Sequence, residues 1–297
     1  MADIYKINGV AIANIEKVNS HTLAVGDKIM GIAKPAAAAS NIYEFDFNST
    51  TGTGNSSATT LPSGWAKADS GNMTVYSSTT DTDLGGYQNT RGWVFTDGES
   101  SSTYTGVGGG MQNGIGTTDG AWNAYSAAGN PDYRYLLFET STIGTNKRGL
   151  IRTGALDFSG YTTITLHMWI HAYGSRIGTF GVACTTNASS ADSGVQSGTG
   201  LGFTSDTAGG GTLVYDSNGD GSLDTSAVRI TSQINTDGDQ YNETQTAARK
   251  WRKCTVDLSA AAGQSTNYIY FFYKTTGTSN VYYRGDFCID NVYIAAS

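Results

Sequence analysis

Gly149 to Thr185 reads GLIRTGALDFSGYTTITLHMWIHAYGSRIGTFGVACT, and the way this stretch is read decides the fold. It carries two histidines four residues apart, a spacing that on a helix would make a metal site. Within ITLHMWIHAY, however, Thr165, His167, Trp169, His171 and Tyr173 alternate with Ile164, Leu166, Met168, Ile170 and Ala172, and the second set is wholly apolar. A period of two belongs to a strand, whereas a helix needs apolar residues three and four apart. On a strand, positions i and i+4 lie about 13 Å apart, at about 3.3 Å per residue. Two imidazoles so separated cannot share one zinc through bonds of about 2 Å. The stretch predicts a half-buried strand whose histidines line the outer or concave face of a sheet.

The rest of the chain agrees with a β fold. Its 297 residues include 39 Gly, 18 Tyr and only 3 Pro, and 14% are charged. So many turn formers and so few helix formers predict many short strands. A net charge of −7 leaves no basic patch for a nucleic-acid backbone. No window approaches the ~18 apolar residues of a membrane helix. The opening MADIYKINGVAIANIEKVNS lacks a secretory h-region, because Asn14, Glu16 and Lys17 interrupt its apolar run. Cys184, Cys254 and Cys288 are odd in number and without C-x-x-C spacing, so they predict buried, reduced core thiols rather than a disulfide framework or zinc site. Folding in a cytoplasm is expected.

Along the chain, Lys6-Ile7-Asn8-Gly9, Lys17-Val18-Asn19-Ser20 and Lys28-Ile29-Met30-Gly31 recur every 11 residues. Each is an apolar strand end followed by a turn pair, and Asn-Gly is the strongest short hairpin signal. Residues 1–34 therefore predict a small meander of two or three short strands. A hairpin alone is marginal in water, so this segment packs either on its own main domain or on a larger assembly. As an anchor, its contact residues would be Ile7, Asn8, Gly9, Val10, Ile15, Val18 and Ile29. Residues 35–42 read as a linker of small residues, and 43–297 as the main domain. Predicted strands there are Tyr43–Asn48, Gly71–Tyr76, Arg134–Glu139, Gly149–Arg152, Thr162–Tyr173, Thr179–Thr185, Thr212–Tyr215, Val228–Ser232, Lys250–Leu258, Tyr268–Tyr273 and Phe287–Ile294. The long Gly/Ser/Thr tracts Ser77–Asp132 and Asn187–Gly211 are expected to hold further hairpins. Many strands with turns between them favour a two-sheet antiparallel sandwich.

The same residues carry a family resemblance. RGLIRTGALDFSGYTTITLHMWIHAYGSRIGTFGV resembles the middle of a MAM domain, an adhesion-type jelly roll. PDYRYLLFETS, FDFN with LPSGW, Trp251 with CTVDLS, IYFFYKTTG and GDFCIDNVYI resemble its other strands, in order, over nearly all of Tyr43–Ile294. The family's paired cysteines are absent and the insertions are large. The resemblance implies a jelly-roll sandwich with its first and last strands adjacent.

Two acidic constellations bear on metal. Strict alternation in DFCIDNVYI puts Asp290 in register with Cys288, Val292 and Ile294, facing inward. A buried carboxylate needs a cation or hydrogen-bond donors. In the opening strand Glu44, Asp46 and Asn48 face one way, and Tyr43, Phe45 and Phe47 the other. The MAM resemblance implies a closing aspartate that helps hold a cation. A structural calcium joining Asp46, Asn48 and Asp290, with Asp286 as a further candidate, fits hard-oxygen ligation; an arginine partner or backbone amides would serve Asp290 equally. In DSNGDGSLD, Asp216, Asn218, Asp220, Gly221 and Asp224 match positions 1, 3, 5, 6 and 9 of an EF-hand loop. Position 12 holds Ala227 instead of Glu, so the segment is either an incomplete calcium site or a polar hairpin turn.

Catalysis is not expected. EFDFN resembles the E-I-D-I-E strand of jelly-roll glucanases, but Asn48 stands at the acid position and cannot donate a proton. No G-x-S-x-G, H-E-x-x-H or phosphate-loop motif occurs. Tyr87, Trp93, Tyr104, Trp122 and Tyr125 lie in Gly/Ser loops; exposed they would stack on sugar rings, buried they are satellite core.

The opening IYKINGVAIANIEKVN … GDKIMGI resembles a lead-in on structural proteins of tailed bacteriophages. That resemblance implies a virion surface protein, assembled in the host cytoplasm as a homo-oligomer. It would be attached to capsid or tail components through residues 1–34 and would decorate the particle or bind a host-surface glycan. The alternatives are a non-viral carbohydrate-binding or adhesion module and a degenerate glycoside hydrolase.

Overall fold

The decisive stretch is a strand. In the computed structural model of the chain, Ile164–Ala172 runs as one nine-residue strand, with Ile164, Leu166, Met168 and Ile170 turned into the core. The structure describes residues 6–7, 10–11, 17–18, 21–22, 28–29, 32–33, 40–45, 47, 62–67, 92–96, 135–140, 148–172, 176–188, 200–203, 209–218, 221–234, 251–276, 285 and 287–297. No α-helix occurs among them.

Six two-residue strands come first: β1 (Lys6–Ile7), β2 (Val10–Ala11), β3 (Lys17–Val18), β4 (His21–Thr22), β5 (Lys28–Ile29) and β6 (Ile32–Ala33). They pair in sequence as three separate two-stranded sheets, with Ile7 across from Val10, Val18 from His21 and Ile29 from Ile32. The 11-residue period thus gives six strands, where two or three were expected. Each repeat carries its own return strand because two residues suffice to turn an antiparallel pair.

The sandwich follows: β7 (Ser40–Phe45), β8 (Ala66–Lys67), β9 (Gly92–Thr96), β10 (Tyr135–Glu139), β11 (Arg148–Arg152), β12 (Ile164–Ala172), β13 (Thr179–Thr185), β14 (Gly200–Leu201), β15 (Leu213–Tyr215), β16 (Thr225–Ala227), β17 (Arg252–Asp257), β18 (Tyr268–Lys274) and β19 (Phe287–Ala296). The larger sheet has eight strands in the order β16-β15-β17-β12-β19-β10-β9, with β7 also on β19; the smaller has five, β14-β13-β18-β11-β8. Every pairing is antiparallel. The fold is a two-sheet antiparallel sandwich of jelly-roll type, and its first strand β7 lies against its last, β19.

The inward faces of both sheets make one core. Leu166, Met168 and Ile170 from the large sheet meet Phe180, Val182, Ile269, Phe271 and Tyr273 from the small one. Phe180 stacks on Phe287 across the sheets at 4.1 Å between centroids, and Trp65 lies flat on Phe271 at 6.0 Å. Cys184, Cys254 and Cys288 are free thiols and buried. Burial pushes the Cys184 thiol up to about 12 and that of Cys254 higher still, since a thiolate in an apolar setting is costly.

Two loops are stapled by one phenol. Tyr273 Oη accepts from the Gly178 N–H at 2.5 Å and donates to the Gly285 carbonyl. At Gly178 a side chain is excluded, because a Cβ would sit 2.0 Å from the Lys274 carbonyl oxygen.

The segment 228–232, expected as a strand, makes only a single bridge, Ile230 to Phe180; the strand lies earlier, at Thr225–Ala227. Arg229 lies within this segment. Its guanidinium turns in over the outer face of the small sheet, 4.5 Å from the Phe203 ring centroid, and donates to the Gly209 and Val228 carbonyls at 2.8 Å. Gly181 makes room for it.

Candidate functional site

The outward face of β12 alternates as the sequence requires, and it is divided in two. Toward one end, Trp169 joins Tyr135, Leu137, Trp251 and Cys288 in a buried apolar cluster that seals the outer face of the large sheet. Toward the other end, His167 and Thr165 stay half-buried. The boundary is an open groove of about 290 Å³ lined chiefly by His167, Trp169, Leu223, Lys253, Thr255 and Tyr293.

A bulge in β19 sets this boundary. His167 pairs with Tyr293 but Trp169 pairs with Asp290, so β19 carries one extra residue between them. Asn291 has φ +46°, the left-handed conformation that Asn tolerates better than most residues. One inserted residue flips the faces. Val292 and Ile294 therefore point into the core, while Cys288 belongs to the outer cluster. Asp290 pairs with the outward Trp169. The expectation that Asp290 faces inward in register with Val292 and Ile294 is corrected. It is buried on the outer side, where its Oδ1 accepts the Asn291 N–H at 2.7 Å. Tyr293, between the inward Val292 and Ile294, faces the groove.

The groove has one aromatic wall and several polar groups. The imidazole of His167 lies flat against the Tyr293 ring, 4.5 Å between centroids and 2° between planes. Lys253 Nζ stands 5.6 Å from the Trp169 ring centroid, a cation over an indole face. Burial holds the His167 imidazole below its ordinary 6.5 and raises the Tyr293 phenol, so the pair is neutral at neutral pH.

The facing wall is the β15–β16 turn, the segment with the EF-hand-like spacing. Asp216 N–H donates to the Lys253 carbonyl at 3.0 Å, which starts the turn beside β17. The Asp216 carboxylate is wholly buried and accepts from the Gly221 N–H at 3.0 Å, with Gly221 at φ +90°. Asp224 accepts from Ser217 N–H at 2.9 Å and from Ser217 Oγ at 3.1 Å, and these bonds hold its carboxyl below the usual range. The turn so fixed holds Gly221 and Leu223 on the groove, and Leu223 is one of two large exposed hydrophobics among the described residues. Each Asp224 oxygen thus already accepts one hydrogen bond from Ser217. Among the described residues no group of three His, Cys, Asp or Glu side chains lies close enough to hold a metal.

Of the other predicted site residues, Trp93 is corrected. It is 1% exposed in the core, edge-on to Phe138 at 5.1 Å, with Nε1–H donating to the Gly149 carbonyl at 3.2 Å, so it offers no face to a sugar. Tyr87, Tyr104, Trp122, Tyr125, Asp46, Asn48, Asp220 and Asp286 lie outside the described residues, as do Asn8, Gly9 and Ile15 of the anchor set. Ile7, Val10, Val18 and Ile29 are hairpin strand residues. Asn218 is exposed. Glu44 faces outward across from Tyr293, as the alternation of β7 predicts. Sequence reasoning missed Lys253, Thr255, Leu223 and Tyr293. For the β17 pair a signal existed, since RKCTVD alternates as β12 does; for Tyr293 it lay in the alternation with the inward Val292 and Ile294.

No protein-family model matches the chain, and no curated protein does either. Solved structures do resemble it. The K1 cleaved adhesin domain of Lys-gingipain from Porphyromonas gingivalis W83 is 16% identical over 86% of this chain and 98% of that one, with a TM-score of 0.37. The K3 cleaved adhesin domain of the same protein is 13% identical over 87% and 100%, TM-score 0.39. CBM27-1 of Caldicellulosiruptor saccharolyticus, solved in complex with mannohexaose, is 16% identical over 67% and 88%, TM-score 0.25. Likeness at this level reaches no further than the sandwich architecture.

Proposed function

We propose that this chain is a carbohydrate-binding, adhesive module that takes a sugar in the groove between the His167–Tyr293 wall and the Leu223 turn. The observation that carries the reading is the groove's composition. An apolar floor and aromatic wall stand with an ammonium, a phenol, an imidazole and a threonine hydroxyl converging on about 290 Å³. Sugars present apolar ring faces and rows of hydroxyls, which such a site matches. The test is a glycan array probed with the full chain and with His167→Ala and Tyr293→Ala. Retained binding by both variants, or none by the parent, overturns the proposal.

A second reading concerns residues 1–34. Three separate two-stranded hairpins at an 11-residue spacing are individually too small to hold their own shape, which supports their use as an attachment segment. We infer attachment to a virion, in line with the phage resemblance, with assembly in the host cytoplasm and the sandwich on the particle surface. A chain lacking residues 1–34 that still incorporates into particles ends that idea. Calcium is a further proposal, supported by the Asp216–Asp224 spacing alone; an unfolding midpoint that ignores both calcium and chelator disposes of it. Absence of turnover on glucans and galactans is expected.

A further inference from the structure

The groove continues beyond Tyr293. Across the large sheet, Ser226 of β16, Val214 of β15, Thr255 of β17, His167 of β12, Tyr293 of β19 and Glu44 of β7 are cross-strand partners in one unbroken row. A second row runs beside it through Asp257, Thr165, Ala295 and Asn41. Asn41 Nδ2 donates to Glu44 Oε1 at 3.0 Å, which ties the two rows together at the β7 end. Each of these side chains is half-buried or exposed, whereas beyond Trp169 the outer face is sealed. The open surface is therefore a strip that crosses the strands. Six strands at about 4.8 Å make it about 24 Å long, several times the width of one sugar ring.

We infer that this strip is a row of subsites for a linear, neutral polysaccharide bound along its length, not by a chain end. The inference rests on the sugar-binding reading of the groove and names its ligand. Apolar and ring surfaces, those of Val214, Leu223 and the His167–Tyr293 pair, alternate along it with the hydroxyls of Thr255 and Thr165 and the Asn41–Glu44 pair. A chain of pyranose rings presents the same alternation. Charge argues against a polyuronate, whose carboxylates would face Glu44 and Asp257 with Lys253 alone to pair with them. Neutral hydroxyls bond to all three, since they both donate and accept.

The experiment is calorimetric titration of the full chain with β-1,4-linked gluco- and manno-oligosaccharides of one to six rings, with oligogalacturonides of the same lengths as the acidic arm. Affinity for one neutral series rises with each ring up to four or five, then levels off. Asn41→Ala and Glu44→Ala, at the far end of the strip, weaken the six-ring ligand about three- to tenfold, as loss of a hydrogen bond does. They leave the two-ring ligand unchanged. Equal affinity for two and six rings overturns the inference while leaving the sugar-binding groove standing. Preference for the galacturonides overturns the neutral class. Failure of every oligosaccharide overturns the inference, and the glycan array then decides separately whether the groove binds any sugar.

Discussion

His167 and Tyr293, cross-strand neighbours on β12 and β19, stack with 2° between their ring planes at 4.5 Å. The pairing half-buries the imidazole and disfavours its charged form. A base whose folded pKa lies below its unfolded one takes up fewer protons when folded. Its contribution is complete above the unfolded value of 6.5 and is lost as pH falls from there toward the folded pKa. Urea midpoints measured from pH 7.5 to 5 therefore decline more steeply in the parent than in His167→Gln. Parallel curves would show that the stack does not perturb the imidazole.

Asn291 occupies the left-handed conformation at the bulge, where a β-branched residue is disfavoured. Asn291→Val is less stable than Asn291→Gly by about 1–2 kcal/mol. Equal unfolding free energies for the two variants would mean that the bulge is not fixed by this backbone angle.

Trp93 fills the core against Phe138 and Phe180. Trp93→Ala costs about 3–5 kcal/mol of folding stability and leaves sugar affinity unchanged at temperatures where the variant is folded. Unaltered stability would return Trp93 to the list of exposed platforms.

Removing the Tyr273 hydroxyl strands a buried N–H and a buried carbonyl, those of Gly178 and Gly285. Tyr273→Phe costs about 1–3 kcal/mol for each group left unmatched. Denaturant titration reads this directly, and a neutral outcome refutes the staple.

The thiols of Cys184 and Cys254 are buried and their pKa values raised. Neither reacts with a thiol reagent at pH 8 in the folded protein, and both react in denaturant. Rapid labelling of either under native conditions would contradict the packing.

Much of the sandwich was legible in the chain itself. ITLHMWIHAY declares a strand with one apolar face because side-chain alternation is a local property of extended backbone, and β12 obeys it residue by residue. The thiols' burial followed from type and spacing, and Glu44 opposite Tyr43 and Phe45 from the same period. What the tertiary structure decided is phase and neighbourhood. One extra residue at Asn291 reverses the phase of β19, so Asp290 lies on the outer side while Val292 and Ile294 keep the inward face that strict alternation assigns. Long-range pairing drew Trp93 from its glycine-rich surroundings into the core. The Asp216–Asp224 turn became a groove wall because β15 pairs with β17, a partner that lies outside its own hairpin. Periodicity records which way a side chain points along its own strand; only the folded sheet settles what lies on that side.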